Sequence, residues 1–555
     1  MTVMTSKPSI RTVWNRLQFS LSVTGVSLFA AAFMAVVGNA ALWQSVLTLM
    51  PLSFANFGFL LAEAVFLLAT IHLFIAPFAL RWLLKPVLIV LFFSTASAAY
   101  FMDAYGTIID SSMIQNVVET DVKEATELLT LRLVVYLLLF GLLPSLLLLR
   151  TTIRFPTLAK ALLGRVIAIV LTVAAIAGAI ASHYKDFSLI GREHKELRML
   201  MNPVYPIYAV GQFLFASEAG PAVIEKIGED ATRARAASGH ERKMLVFFVV
   251  GETARAANFS LNGYDRETNP ELATLPLLNF KTTYSCGTTT AISVRCMFSN
   301  LGRDNFNRDK ADAREGVLDV LQRAGVAVLW RDNNSGCKGA CDRVANEALD
   351  TLQLPELCHD GECFDDVLLH QLQDKLDAAT TDTFIVMHQK GSHGPAYYKR
   401  TPAEFKRFLP ECTDANVQNC DRQSIINAYD NTLLYTDHIL ASLIAVLQKN
   451  AANFDTAFVY VSDHGESLGE NNLYLHGFPY AIAPEEQKRV PLLMWFSPGI
   501  ESRLGLDRAC LQKRAEQPAS HDNLFHSFLG LFDVRTSVYK AELDLFAGCR
   551  TSPVP

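Results

Sequence analysis

Five apolar runs, at roughly 18–38, 54–78, 86–102, 133–149 and 164–182, dominate the first third of the chain. A helix needs about 20 apolar residues to cross a bilayer, because lipid offers its backbone no hydrogen-bond partner. No other feature constrains the fold as strongly. It predicts a transmembrane domain of five helices over residues 1–182. Four runs follow the first, so that one reads as a retained span rather than a cleaved signal peptide.

Charge orients the spans. Lys7, Arg11 and Arg16 precede the first, Arg81 and Lys85 separate the second and third, and Arg150, Arg154, Lys160 and Arg165 separate the fourth and fifth. The loops on the other side differ: 39–53 carries no charge and 103–132 is mainly acidic. By the positive-inside rule the N-terminus is cytoplasmic, and everything after about residue 183 lies outside the inner membrane. Cysteine usage points the same way. All 10 cysteines lie between Cys286 and Cys549. They fall as near neighbours, Cys286/Cys296, Cys337/Cys341, Cys358/Cys363 and Cys412/Cys420, leaving Cys510/Cys549. This reads as disulfides formed in an oxidising compartment. A net charge of −6, with no basic stripe, argues against nucleic acid.

Two polar features stand out in the membrane half. Glu63 lies inside the second run, where a carboxylate is costly and usually faces a bundle interior or water; the alternative is a satisfied structural carboxylate near an interface. In the outer loop SMIQNVVETDVKEATELL, Asn116, Thr120 and Glu124 share one helix face at spacing i, i+4, i+8. A carboxylate with two neutral polar groups suits an ammonium head group; the alternative is a solvated face.

Residues 183–240 read as amphipathic linker helices at the membrane surface, and 241–555 as an α/β domain. MLVFFVVGET is an apolar, β-branched strand that stops at Gly251. Further strands are expected at VAVLWRD (326–332), TFIVMHQ (383–389), TAFVYVSDHGES (456–467) and VPLLMWFS (490–497), alternating with helical patterns. This predicts a mainly parallel sheet flanked by helices. Ligands of such sheets bind beyond the carboxyl ends of the strands. Glu252, His388, His393 and the pair Asp463-His464 fall there.

Glu252, Asp463 and His464 offer two carboxylates and an imidazole, a set suited to Zn²⁺. A hydroxyl would complete it. SCGTTTAISVRCMFS (285–299) supplies Thr288, Thr289 and Thr290, at a position where a helix N-terminus favours phosphate. One of these hydroxyls is expected to be a nucleophile toward a phosphoryl group; the bland alternative is a disulfide-clipped loop with capping threonines. Asn334, Lys338, His393 and His476 are loop residues able to meet a phosphate.

Together VVGETARAANFSLNGYDRETNP (249–270), SCGTTTAISVRCMFS, RDNNSGCKGACDRV (331–344), GSHGPAYYKR (391–400), AYDNTLLYTD (428–437) and VSDHGESLGENNLYLHGFPYAIAP (461–484) resemble the lipid A phosphoethanolamine transferases, a family that includes the colistin-resistance enzymes. The likeness spans nearly the whole chain. It implies an alkaline phosphatase/sulfatase-like α/β/α soluble domain behind five membrane helices; with the topology above, the expectation is an inner-membrane monomer with its catalytic domain in the periplasm. It implies Thr290 as nucleophile and Glu252, Thr290, Asp463 and His464 as zinc ligands. Asn334, Lys338, His393 and His476 fall on its substrate-side positions, Asn116, Thr120 and Glu124 on its outer-loop pattern, and the five cysteine pairs on its disulfides. The implied reaction takes phosphoethanolamine from phosphatidylethanolamine to a lipid A phosphate through a covalent Thr290 intermediate, releasing diacylglycerol. Transfer to a lipopolysaccharide core sugar, or a catalytically silent zinc-binding lipid sensor, are the rival readings. The chain departs from the family at Arg295, where members usually have proline.

Overall fold

A computed structural model describes residues 20–119, 122–194, 196–217, 224–233, 242–352, 354–359 and 362–551. The chain forms two compact units, Met1–Ile114 with Leu129–Gln212, and Gln115–Leu128 with Phe213–Pro555. The expected linker is therefore divided. Helices Tyr184–Glu193 and Glu196–Met199 cluster with the membrane unit, while the outer-loop segment 115–128 clusters with the soluble one.

In the first unit, Phe57–Phe78, Leu84–Tyr105, Leu131–Arg150 and Ala159–Ser182 are long and apolar enough to cross a membrane. The first expected span is instead a pair of helices, Val23–Val37 and Ala40–Leu49, bent by 61°. The break at Gly38-Asn39 exposes backbone groups that lipid cannot satisfy, so side chains must do it. Asn39 Nδ2 donates to Met34 O at 2.8 Å and to Asn202 O at 2.7 Å. Asn202 answers with Nδ2 donating to Gly38 O and Thr95 O at 3.0 and 2.9 Å, and its N–H donating to Asn39 Oδ1 at 2.9 Å. A Cβ at Gly38 would sit 2.2 Å from the Thr95 methyl, so only glycine fits the bend.

The second unit is built on an eight-stranded sheet: β1 (Lys243–Gly251), β2 (Leu278–Tyr284), β3 (Ala327–Asp332), β4 (Ala345–Ala348), β5 (Thr383–His388), β6 (Phe454–Ser462), β7 (Arg489–Phe496) and β8 (Ala519–Ser520), in the order β8-β2-β7-β6-β1-β5-β3-β4. β7 alone runs against its neighbours. The sheet is therefore mainly parallel, as expected, with this one strand reversed. β2, β4 and β8 lie toward the edges and were not legible as strands; β2 mixes exposed Lys281 with buried Leu278 and Phe280. The central strands β1, β5 and β6 are apolar without alternation because both faces are covered. Phe248 of β1 packs against Phe298, Phe384 and Phe528, and the helix Arg422–Lys449 packs along β6.

The chain forms the five disulfides Cys286–Cys296, Cys337–Cys341, Cys358–Cys363, Cys412–Cys420 and Cys510–Cys549.

Candidate active site

The register of the sheet decides what meets what. Ser462 pairs with Gly251, and His388 pairs with both Val250 and Asp332. The carboxyl ends of β6, β1, β5 and β3 are thus level, and the residues that follow them converge. One oxygen each of Glu252 and Asp463, with a ring nitrogen of His464, lie within 4.8 Å of one another, all three side chains buried.

Thr290 follows the carboxyl end of β2, as the first residue of the helix Thr290–Met297. Its Oγ1 lies 3.4 and 3.3 Å from the two Glu252 oxygens and 3.4 Å from His464 Nε2. The other two threonines are turned elsewhere. Thr288 Oγ1 donates to Phe478 O at 2.6 Å, and Thr289 Oγ1 is buried with no hydrogen-bond partner among the described residues. The loop is held by Cys286–Cys296 and by Gly287 N donating to Ser293 Oγ at 3.0 Å.

These groups fit a metal ion on their own chemistry. His464 Nδ1 lies 2.8 Å from Gly465 O, which can only accept, so the proton sits there and Nε2 presents a lone pair. Asp463 Oδ1 accepts from the backbone N–H groups of Thr253 and His464 at 3.0 and 2.7 Å, whereas buried Oδ2 has no hydrogen-bond partner among the described residues. Burial, and then the Glu252 charge, push the Asp463 carboxyl well above its ordinary range. Burial, helped by the His476 charge, lowers the His464 imidazole to about 3, which leaves it neutral near pH 7. The three ligand atoms themselves bring two carboxylates and a neutral imidazole and no cation, a set whose charge a divalent ion would balance.

The expected substrate-side residues surround this centre. Asn334 Nδ2 donates to Glu252 Oε2 and to Gln389 O, both at 2.8 Å. Its amide therefore orients the Glu252 carboxylate. Lys338 Nζ donates to Ser335 O and Oγ at 3.0 and 2.9 Å, leaving one N–H for a ligand. Asn334 and Lys338 line a cavity of about 660 Å³ together with Glu119, Glu362 and Lys390. His476 stacks on His464 with centroids 4.2 Å apart, and buried His393 lies 5.8 Å beyond it. Asn116 is half-buried on the helix Ser111–Glu119. Thr120 and the side chain of Glu124 lie outside the described residues.

The sequence reading passed over Glu466, which stood in plain view within SDHGES. It is buried and lies 3.3 Å from His476 Nδ1. Burial disfavours charge on that imidazole, but Glu466 outweighs it and lifts His476 to about 9, so the ring is protonated at neutral pH. Arg400 was also missed. Almost fully buried, it donates to His393 O at 2.9 Å and pairs with Glu127 and Glu362.

Arg295 finds its account here. Its guanidinium donates to Ala291 O at 2.9 Å, pairs with Asp312 at 3.0 Å and reaches Glu119 at 3.4 Å, where Arg308 also arrives at 3.3 Å. The nucleophile helix and the 115–119 segment are thereby joined. Arg295→Ala is expected to raise amide hydrogen exchange over 115–119 by about tenfold, on the order of 1.4 kcal/mol of local opening. Arg295→Lys, keeping the charge but not the fork, should fall between. Equal exchange in all three proteins would remove Arg295 from this role.

Comparison with known proteins agrees with this picture. A model of the sulfatase family matches residues 244–534, and one described as phosphoethanolamine transferase EptA/EptB matches residues 67–217. Phosphoethanolamine transferase EptA of Escherichia coli (strain K12) is 41% identical over 534 residues, 96% of this chain and 98% of that protein. Phosphatidylethanolamine transferase Mcr-1 of Escherichia coli is 39% identical over 543 residues, 95% and 98% of the two chains. Kdo(2)-lipid A phosphoethanolamine 7''-transferase of Escherichia coli (strain K12) is 28% identical over 480 residues, 81% and 82%. Among solved structures, the integral membrane protein lipooligosaccharide phosphoethanolamine transferase A (EptA) from Neisseria meningitidis superposes with a TM-score of 0.92 at 34% identity, covering 96% of this chain and 100% of that one. With such identity along nearly the full length of its relatives, and the same membrane-plus-sulfatase-like fold, the chain belongs to the phosphoethanolamine transferase family.

Proposed function

We propose that the protein transfers phosphoethanolamine from phosphatidylethanolamine to a lipid A phosphate in two steps, with Thr290 as the covalent carrier. One observation supports this above the others: the Thr290 hydroxyl, alone of the three threonines, faces Glu252 and His464 at 3.3–3.4 Å. A zinc ion held by Glu252, Asp463, His464 and Thr290 would lower the pKa of the Thr290 hydroxyl and screen the phosphoryl oxygens. Thr290 Oγ, having released its proton to water, then attacks phosphorus, and the bond from phosphorus to the diacylglycerol oxygen breaks. The departing alkoxide takes a proton from His476, which Glu466 keeps charged. An oxygen of the lipid A phosphate next attacks the same phosphorus and displaces Thr290 Oγ. His393 stands behind His476 as the second proton carrier. Asn334 fixes Glu252, Lys338 holds a phosphoryl oxygen with its remaining N–H, and Asn116, Thr120 and Glu124 meet the ammonium end.

The donor is favoured by the name of the Mcr-1 relative, and a lipooligosaccharide acceptor by that of the Neisseria enzyme. The 7''-transferase is the more distant relative, at 28% against 41% identity, which disfavours that acceptor position. A bilayer-anchored domain suits a reaction whose donor and acceptor are both lipids. The site then lies on the periplasmic side of the inner membrane, where the disulfides persist. The test uses the purified full chain with fluorescent phosphatidylethanolamine. Labelled diacylglycerol should appear, and without acceptor the mass of the peptide holding Thr290 should rise by one phosphoethanolamine group. Product without that adduct at any time point would replace the two-step route with direct transfer.

A further inference from the structure

Glu63 is not used by the chemistry above, yet it lies in the most demanding place for a carboxylate. It is the seventh residue of the apolar helix Phe57–Ile75 and only 9% exposed. Among the described residues it has neither an ion pair nor a side-chain hydrogen bond. An ionised carboxylate in such surroundings costs several kcal/mol unless a cation meets it. The same side chain lines a cavity of about 380 Å³ within the membrane unit, a size in the range of small-molecule sites.

The rest of that cavity narrows what the cation is. Its wall is aromatic: Phe59 and Phe66 each pack on Phe187, with centroids 5.3 and 5.6 Å apart. Arg198, on the helix Glu196–Met199, lines the same cavity with an exposed side chain and makes no ion pair among the described residues. His194 beside it is bonded to Glu196 at 2.8 Å. Glu63 and Arg198 therefore share one apolar chamber without neutralising each other. A lone cation entering it would be repelled by Arg198, and a lone anion by Glu63. A zwitterion satisfies both. The carboxylate asks for N–H donors, which a primary ammonium has and a quaternary one lacks. The guanidinium suits a phosphate, and the phenyl rings suit glycerol and acyl carbon.

We propose that this cavity is a binding site for the head group of an amine-bearing phospholipid. The primary ammonium lies at Glu63, the phosphodiester at Arg198 and the chains along the Phe59–Phe66–Phe187 wall. The site lies wholly within the membrane unit, is separate from Thr290, and stands whether or not Thr290 is the nucleophile.

The test is photolabelling of the full chain in nanodiscs by phosphatidylethanolamine with a diazirine near the head of one acyl chain. Phosphatidylglycerol and phosphatidylcholine probes run in parallel, and labelled peptides are mapped by mass spectrometry. With the ethanolamine lipid, label is expected in peptides covering 57–75 and 184–199, and it should persist in Thr290→Ala. Glu63→Gln should lower it at least tenfold, with Glu63→Asp keeping part. Arg198→Gln, a change at an exposed side chain that leaves helix packing intact, should lower it several-fold and so serves where Glu63→Gln folds poorly. Equal labelling by phosphatidylglycerol overturns the proposal, and so does labelling by phosphatidylcholine at or above the ethanolamine lipid. Undiminished labelling in both Glu63→Gln and Arg198→Gln overturns it as well. Because labelling needs no turnover, a failure here is distinct from a failure to release diacylglycerol.

Discussion

Replacing Thr290 by alanine is expected to lower diacylglycerol release from phosphatidylethanolamine by at least about 10⁴-fold, the scale on which loss of a covalent nucleophile is felt. The residual rate should belong to water or acceptor attacking directly, helped only by the remaining charge pattern. Folding should be untouched. Thr290 opens its helix, and its hydroxyl makes only long contacts of 3.3–3.4 Å to Glu252 and His464. Thr290→Ser, which keeps the oxygen, should recover most of the activity. The neighbours supply the control. Thr289→Ala removes a buried hydroxyl that has no partner among the described residues, so it should cost little in rate or stability. If wild type and Thr290→Ala release diacylglycerol equally, the covalent route is wrong.

The second large effect concerns the metal. Stripping the protein with a chelator should abolish transfer, and Zn²⁺ should restore it. Asp463→Asn should lower zinc affinity by more than about 100-fold, since losing even an outer partner of a ligand costs about 10–100-fold. Stability gives an independent reading with the opposite sign. In metal-free protein, Asp463 Oδ2 is buried beside the Glu252 carboxylate without a hydrogen-bond partner among the described residues. Its raised pKa means that the fold binds this proton more tightly than the unfolded chain does. The contribution of Asp463 to metal-free stability is therefore fully present at low pH, and is lost as pH rises from the ordinary carboxylate range toward the raised value. Metal-free Asp463→Asn should lack that fall and be the more stable of the two at neutral pH. With zinc the order should reverse, because only wild type gains the binding free energy. Thermal unfolding of both proteins, with and without zinc and across pH, checks both signs.

Much of this was legible in the chain itself, for reasons that are local. Five apolar runs declare helices because a bilayer permits little else, and the unbroken apolar strand before Glu252 declares a parallel sheet buried on both faces. Near-neighbour cysteines pair because short loops keep them close. Where local pattern fell short, distant contacts had decided. The bend at Gly38-Asn39 depends on Asn202, 163 residues away, satisfying the opened backbone. β7 lies antiparallel between β6 and β2, a placement that no local pattern marks.

The site divides the same way. Residue types named the candidates: a carboxylate after one strand, an Asp-His pair after another and a threonine run at a helix start. Composition and spacing could not tell Thr288, Thr289 and Thr290 apart, because a hydroxyl's role depends on what stands opposite it, and only the resemblance singled out Thr290. Sheet register brings Glu252 level with Asp463, and the helix start turns Thr290 alone toward them. Glu466 gains its meaning only from His476, ten residues on and folded back against it. The sequence determined which chemistry was present. The tertiary structure decided which atoms share it, because distance and burial, not order along the chain, set pKa values and open a place for a metal ion.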